Sequence, residues 1–145
     1  MKGLFYKLLI VLAIGFSACS LKNKSENGSV VFEDGSVAEL KTTLNFNSTE
    51  HDFGQVKEGE KVVCKYEVVN TGKVDLLIHE VRVSCGCTTP KYDKKPIRPG
   101  RSATIEVTFD TSRRSGIQHK DVTVITNTEP ARTVLTFTCE VIPNQ

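Results

Sequence analysis

The chain has 145 residues, enough for one domain and some additional segments. Its composition, 39% hydrophobic and 25% charged, is that of an ordinary folded domain and excludes a disordered chain. Lys2 and Lys7 are the only charges before Cys19; removing them from 19 basic residues leaves 17 against 17 acidic ones, and no basic block or basic-aromatic stripe supports nucleic-acid binding.

Residues 1–18 read as a signal peptide. A basic start is followed by an apolar run, Leu8 to Phe16. That run is shorter than the roughly 20 residues a membrane-spanning helix needs and has the length of a secretory core. Ser17 and Ala18 then precede Cys19. The stretch "FSAC" resembles the bacterial lipobox, in which the cysteine takes a diacylglyceryl lipid, commonly palmitate, and cleavage falls just before it. Phe16 departs from the usual Leu at the first position. The competing reading is an ordinary secretory signal with a chance cysteine. Stable anchoring takes about two acyl chains, each buried CH₂ contributing about 0.8 kcal/mol. A diacylated Cys19 with a further amide-linked chain exceeds that.

Residues 19–43 read as a polar tether. "VVFEDGSVAEL" interrupts it, and Val30, Val31 and Phe32 fit either a short strand or a sticky patch. Residues 44–145 are the folded domain. In "HDFGQV", Phe53 is expected to cap the core and Gly54 to let the chain turn, with Asp52 a weak binding candidate. The period from here is two. In "KVVCKYEVVN", Val62, Cys64, Tyr66 and Val68 share one face. "DLLIHEVRV" is more continuously apolar and is expected to lie centrally. In "RSATIEVTFD", Ala103, Ile105, Val107 and Phe109 share a face; "KDVTVIT" continues the alternation, and "RTVLTFTCEVIP" aligns Leu135, Phe137, Cys139 and Val141. Turn signals separate the runs: "NTGK", with Asn70 bonding local backbone, then "RPG", "SRRSG" and "NTEP". No sustained amphipathic helix is visible. The prediction is an all-β, immunoglobulin-like antiparallel β-sandwich of about seven strands.

The segments "DFGQVKEGE", "YEVVNTGKVDLLI", "VSCGCTTP", "PIRPG", "GIQHKDVTVITN" and "LTFTCEVIP", in this order, resemble a bacterial domain family of unknown function. That family is marked by an SCGCT-type motif and is common in predicted lipoproteins. It is similar to the immunoglobulin-like domains of abnormal-spindle and Hydin proteins and, more distantly, to the major sperm protein fold. The resemblance covers about Leu44 to Ile142. It implies fold and envelope location and supplies no catalytic residues.

Four cysteines remain after Cys19. Beyond the cytoplasmic membrane thiols oxidise when a partner is near, and four allow three pairings. Cys64 and Cys139 both face inward, so a bridge across the core is one reading, closing a loop at about 4 kcal/mol as an upper estimate. Two buried free thiols are the other. Cys85 and Cys87 flank Gly86; in a regular strand they lie about 7 Å apart, too far to bridge, but Gly86 allows a bulge or a positive-φ turn. Three readings compete for this pair: a structural strand end with a disulfide or buried thiols, a redox dithiol, and a soft Cu(I) site. Only Arg82 or Lys91, folding over, would place a cation beside it. His51, His79 and His119 lack ligand spacing and read as surface histidines. Lys91, Lys94, Lys95, Arg98 and Arg101 form a basic loop near the cysteines, either solvated charge or a site for an acidic group.

No nucleophile, phosphate-loop or zinc-protease motif is present. The expectation is a non-enzymatic, lipid-anchored module of the bacterial cell envelope, facing the periplasm, without cofactor. It would bind an envelope protein through loops or an edge strand. The alternative is an extracytoplasmic thiol-redox or Cu(I)-binding protein using Cys85 and Cys87.

Overall fold

The computed structural model describes residues 29–31 and 37–144. The expected signal peptide, Cys19 and most of the expected tether lie outside them, as does Phe32. Ten strands follow in chain order: β1 (Ser29–Val31), β2 (Val37–Glu39), β3 (Leu44–Phe46), β4 (Glu50–Lys57), β5 (Lys61–Asn70), β6 (Ile78–Val83), β7 (Thr88–Lys91), β8 (Ser102–Asp110), β9 (Gly116–Thr126) and β10 (Arg132–Ile142). β1 and β2 pair as a separate antiparallel hairpin, so the tether segment contains a short strand at Val30 and Val31. The other eight form two sheets, ordered β4-β10-β9-β6 and β3-β5-β8-β7. This is the expected sandwich, with one more strand than the seven anticipated.

The alternation places the core between the sheets. Ile105, Val107 and Phe109 of β8 are fully buried, opposite Leu135, Phe137, Cys139 and Val141 of β10. Phe137 packs against Phe109 at a ring separation of 5.3 Å and against Phe53 at 5.8 Å. Phe53 thus caps the core as expected. Tyr66 crosses the layers: it rises from β5, and its hydroxyl donates to the Thr136 carbonyl of β10 at 2.7 Å. Burial there penalises the phenolate, and the neighbouring Cys64 adds to it, so the Tyr66 pKa is raised.

Two sequence expectations are corrected. The sheets are not wholly antiparallel: β4 runs parallel to β10, with a bulge between Thr138 and Glu140. Alternation within a strand carries no information about the direction of its neighbour. Second, "DLLIHEVRV" is not central. Its strand part, β6, is the margin of its sheet. The run is apolar because Leu76 bridges to Ile97 and is buried with Ile78 at the end of the sandwich, before the strand begins its own alternation.

Two buried asparagines tie the loops at that end. Asn70 Nδ2 donates to the carbonyls of Val74 and Ile97, both at 2.8 Å, while Oδ1 accepts from Gly72 N and Thr42 Oγ1, both at 3.0 Å. The turn chemistry expected of Asn70 is present in the Gly72 bond, but the side chain also joins segments up to 28 residues away. Asn127 does the same, donating to Leu40 and Asp75 carbonyls and accepting from Leu77 N. Contacts with the sandwich thus include residues ahead of 44, at Glu39, Leu40 and Thr42. Gly72 makes the close approach possible: a Cβ there would fall 2.0 Å from Thr42 Oγ1 and 2.7 Å from Thr43 N. The "RPG" turn forms as expected, with Arg101 N donating to the Arg98 carbonyl and Gly100 at φ 72°.

Candidate functional site

The Cys-Gly-Cys stretch is the corner where the chain changes sheets. It leaves β6 at Val83, turns through Ser84 to Cys87, and starts β7 of the other sheet at Thr88. Thr88 N donates to the Cys85 carbonyl at 3.2 Å, and Asp110 N donates to the Cys87 carbonyl at 2.9 Å. The turn draws the two Cα atoms to 5.3 Å, within bridging range, and Cys85 and Cys87 form a disulfide. The turn does not need a positive φ at Gly86. A Cβ on Gly86 would meet nothing within 4 Å, and the two cysteines beside it are half-buried. Cys85 Sγ lies 3.4 Å from Thr88 Oγ1, and Thr88 is buried. A bridged pair offers no thiolate for Cu(I).

The cations at this corner are not those expected. Arg82 is paired with Glu80 at 2.7 Å, and Lys91 closes β7 on the side away from the bridge. The basic loop is not near the cysteines. It precedes β8, whereas the disulfide sits beside Asp110 at the opposite end of that strand. In the loop, Lys95 pairs with Asp93 at 3.7 Å. Sequence order misled here: β7 and the segment after it carry the chain from one end of β8 to the other.

The β8–β9 loop supplies the cations instead. Gly86, Cys87, Asp110, Ser112, Arg113 and Arg114 line a cleft of about 310 Å³. Arg113 has φ 58°, a left-handed conformation that costs a non-glycine residue roughly 1–2 kcal/mol. Three hydrogen bonds hold it there: Ser112 N to Asp110 Oδ1, Arg113 N to Glu58 Oε1, and Arg114 N to the Thr111 carbonyl. The bonds from Ser112 keep the Asp110 carboxyl below its ordinary pKa. Among the described residues neither arginine forms an ion pair. Sequence reading missed both, since only the sheet change brings residues 86 and 113 together.

The remaining candidates have plainer roles. Cys64 and Cys139 face the core from opposite sheets, as the alternation predicted, yet they form no bridge: both are buried free thiols. Cys64 Sγ turns toward its own sheet, 3.8 Å from the Val107 carbonyl, whereas Cys139 lies at the β4–β10 bulge beside Asp52, Gly54 and Gln55. Burial raises both thiol pKa values, and Asp52 raises that of Cys139 further, so both are poor nucleophiles. Asp52 itself accepts from Gly54 N and shapes the bulge. His79 contacts Glu39 at 2.9 Å, His119 faces Asp121 at 3.6 Å, and His51 packs on Phe53. Among the described residues no group of three or more His, Cys, Asp or Glu could hold a metal.

Residues 44–141 match the family described as "Protein of unknown function (DUF1573)". The chain belongs to that family. The matched span runs from the first residue of β3 almost to the end of β10, so the DUF1573 domain is the eight-stranded sandwich and excludes the hairpin. A search of the curated proteins finds no match. Among solved structures, the DUF1573 chain is similar to a protein of unknown function from Porphyromonas gingivalis W83 (TM-score 0.58, 20% identity, 77% of this chain and 61% of that one). It is also similar to the ASH / PapD-like domain 7 of human CEP192 (TM-score 0.60, 13% identity, 72% and 89%). A third is the VesB protease of Vibrio cholerae (TM-score 0.54, 16% identity, 68% and 31%). At these identities the likeness shows the fold alone.

Proposed function

We propose that the chain is a lipid-anchored, non-enzymatic binding module of the bacterial cell envelope, held in a membrane through Cys19 and facing the periplasm. The basic start, apolar run and "FSAC" stretch of the sequence support the anchor. The observation that carries the binding role is the open margin at β6. The edges β3 and β7 have three and four residues, and β7 carries Pro90, which cannot donate to a ladder. β4 is longer but bulged. β6 is also bulged, between Ile78 and Glu80, but from Glu80 to Val83 it keeps its register against β9 without the left-handed glycine that interrupts β4 at Gly54, and its other side is unpaired within the sandwich. An extended segment of an envelope protein would add there as a further strand, its main chain supplying affinity. The Glu80–Arg82 pair at that margin blunts indiscriminate pairing and selects complementary charge.

The test is a photo-crosslinking amino acid placed singly at Glu80 or Arg82, and at Lys65 or Thr104 on the outer face of the other sheet, in growing cells. All four positions are surface sites in strands, so folding is retained. Discrete crosslinked species should form from positions 80 and 82 and be scarce from 65 and 104. Equal yields from both faces, or none from β6, would remove the edge-strand reading.

A further inference from the structure

The β8–β9 loop takes no part in strand pairing, yet three hydrogen bonds hold Arg113 in a left-handed conformation. The result is a cleft lined by Gly86, Cys87, Asp110 and Ser112 together with Arg113 and Arg114, two cations to one carboxylate. Strained backbone held by its surroundings clusters where a protein acts on something. The disulfide at this cleft is partly exposed, spans a single residue, and has a hydroxyl within reach of one sulfur only. We infer that Cys85–Cys87 is an exchange-active disulfide that oxidises an anionic dithiol, one whose thiols are flanked by carboxylates, with Arg113 and Arg114 drawing it to the cleft. This adds a stoichiometric thiol exchange, one dithiol oxidised per bridge reduced, to the binding reading and does not depend on it.

The chemistry assigns the two sulfurs different roles. A substrate thiolate attacks Cys87 Sγ, on the half-buried cysteine that lines the cleft, and forms a mixed disulfide. The Cys85–Cys87 bond breaks, and Cys85 leaves with the electron pair as a thiolate. The Thr88 hydroxyl, 3.4 Å away, donates a hydrogen bond to it, which lowers its basicity and makes it the better leaving group. The second substrate thiolate then attacks the substrate sulfur of the mixed disulfide and releases Cys87 as a thiolate. Two electrons pass from the substrate dithiol to the Cys85–Cys87 pair, and the two protons lost by the substrate are matched by those that neutralise the two thiolates. Cys64 and Cys139 stay out of the exchange because both are buried.

The experiment follows reduction of the native bridge by glutathione, an anionic thiol, and by cysteamine, a cationic one, with alkylation and mass readout at each cysteine. Glutathione should open Cys85–Cys87 without exposing Cys64 or Cys139. The double variant Arg113→Glu, Arg114→Glu should slow glutathione about tenfold while leaving cysteamine equal or faster, because charge steering acts with opposite sign on the two thiols. With oxidised glutathione, Cys87 in Cys85→Ser should form its mixed disulfide faster than Cys85 in Cys87→Ser. A bridge that opens only when the protein unfolds would overturn the proposal, as would a double variant that slows both thiols alike or neither, or a faster Cys85.

Discussion

Replacing Asn70 with aspartate is expected to destabilise the domain by about 4 kcal/mol at neutral pH, in the range for a buried charge left without a partner. The change is nearly isosteric, so the effect is electrostatic. Oδ1 could still accept from Gly72 N and Thr42 Oγ1, but the second oxygen would face the Val74 and Ile97 carbonyls at 2.8 Å with no proton to share. That arrangement raises the folded pKa of the new carboxyl above its unfolded value of about 3.9. A raised folded pKa means stability is fullest below the unfolded pKa and is lost as pH rises through the folded one. The deficit relative to the parent should therefore shrink at about pH 4, where a protonated carboxyl donates to one carbonyl. Asn70→Ala should show no such pH dependence. Urea unfolding of the three proteins at both pH values checks this; a deficit under about 1 kcal/mol at neutral pH would mean the loops at that end are held by other contacts.

Phe137→Ala is expected to cost about 4 kcal/mol, the usual range for emptying a packed aromatic site. Phe137 lies between Phe109 of the facing sheet and Phe53 of the edge strand, so its loss removes contacts in both directions at once. The same strand provides the control. Val134 is 45% exposed, and Val134→Ala should change stability by no more than about 0.5 kcal/mol. Comparable losses at the two positions would contradict the face assignment of β10.

That face assignment was legible in the sequence. β5, β8, β9 and β10 are long enough for the two-residue rhythm to identify both strand and buried side, and Pro99-Gly100 marked its turn. What the rhythm cannot carry is pairing direction, hence the unexpected parallel β4, or position in a sheet, hence β6 at a margin rather than the centre. Depth escaped as well: Cys64 and Cys139 face one core but reach different parts of it, so inward orientation overstated their chance of meeting. Asn70 and Asn127 look like turn residues because they open "NTGK" and "NTEP"; half of the side-chain bonding of Asn70 and all that of Asn127 reaches distant segments, at Thr42, Ile97, Leu40, Asp75 and Leu77, separations no local pattern encodes. The candidate site was half visible. The Cys-Gly-Cys spacing drew attention to itself, but its arginines arrive from a loop beyond the next strand, while the basic residues nearest in sequence end up at the far end of β8.

Three features meet in the cysteines: a bridged corner at Cys85 and Cys87, two separate core thiols, and the proposed lipid on Cys19. Mass mapping of every cysteine, on protein purified from membranes without reductant and alkylated before and after unfolding, tests all three together. The expected pattern is a Cys85–Cys87 bridge, Cys64 and Cys139 labelled only after unfolding, and a diacylglyceryl group on an N-terminal Cys19. A Cys64–Cys139 bridge, free thiols at Cys85 and Cys87, or an unmodified Cys19 would contradict it.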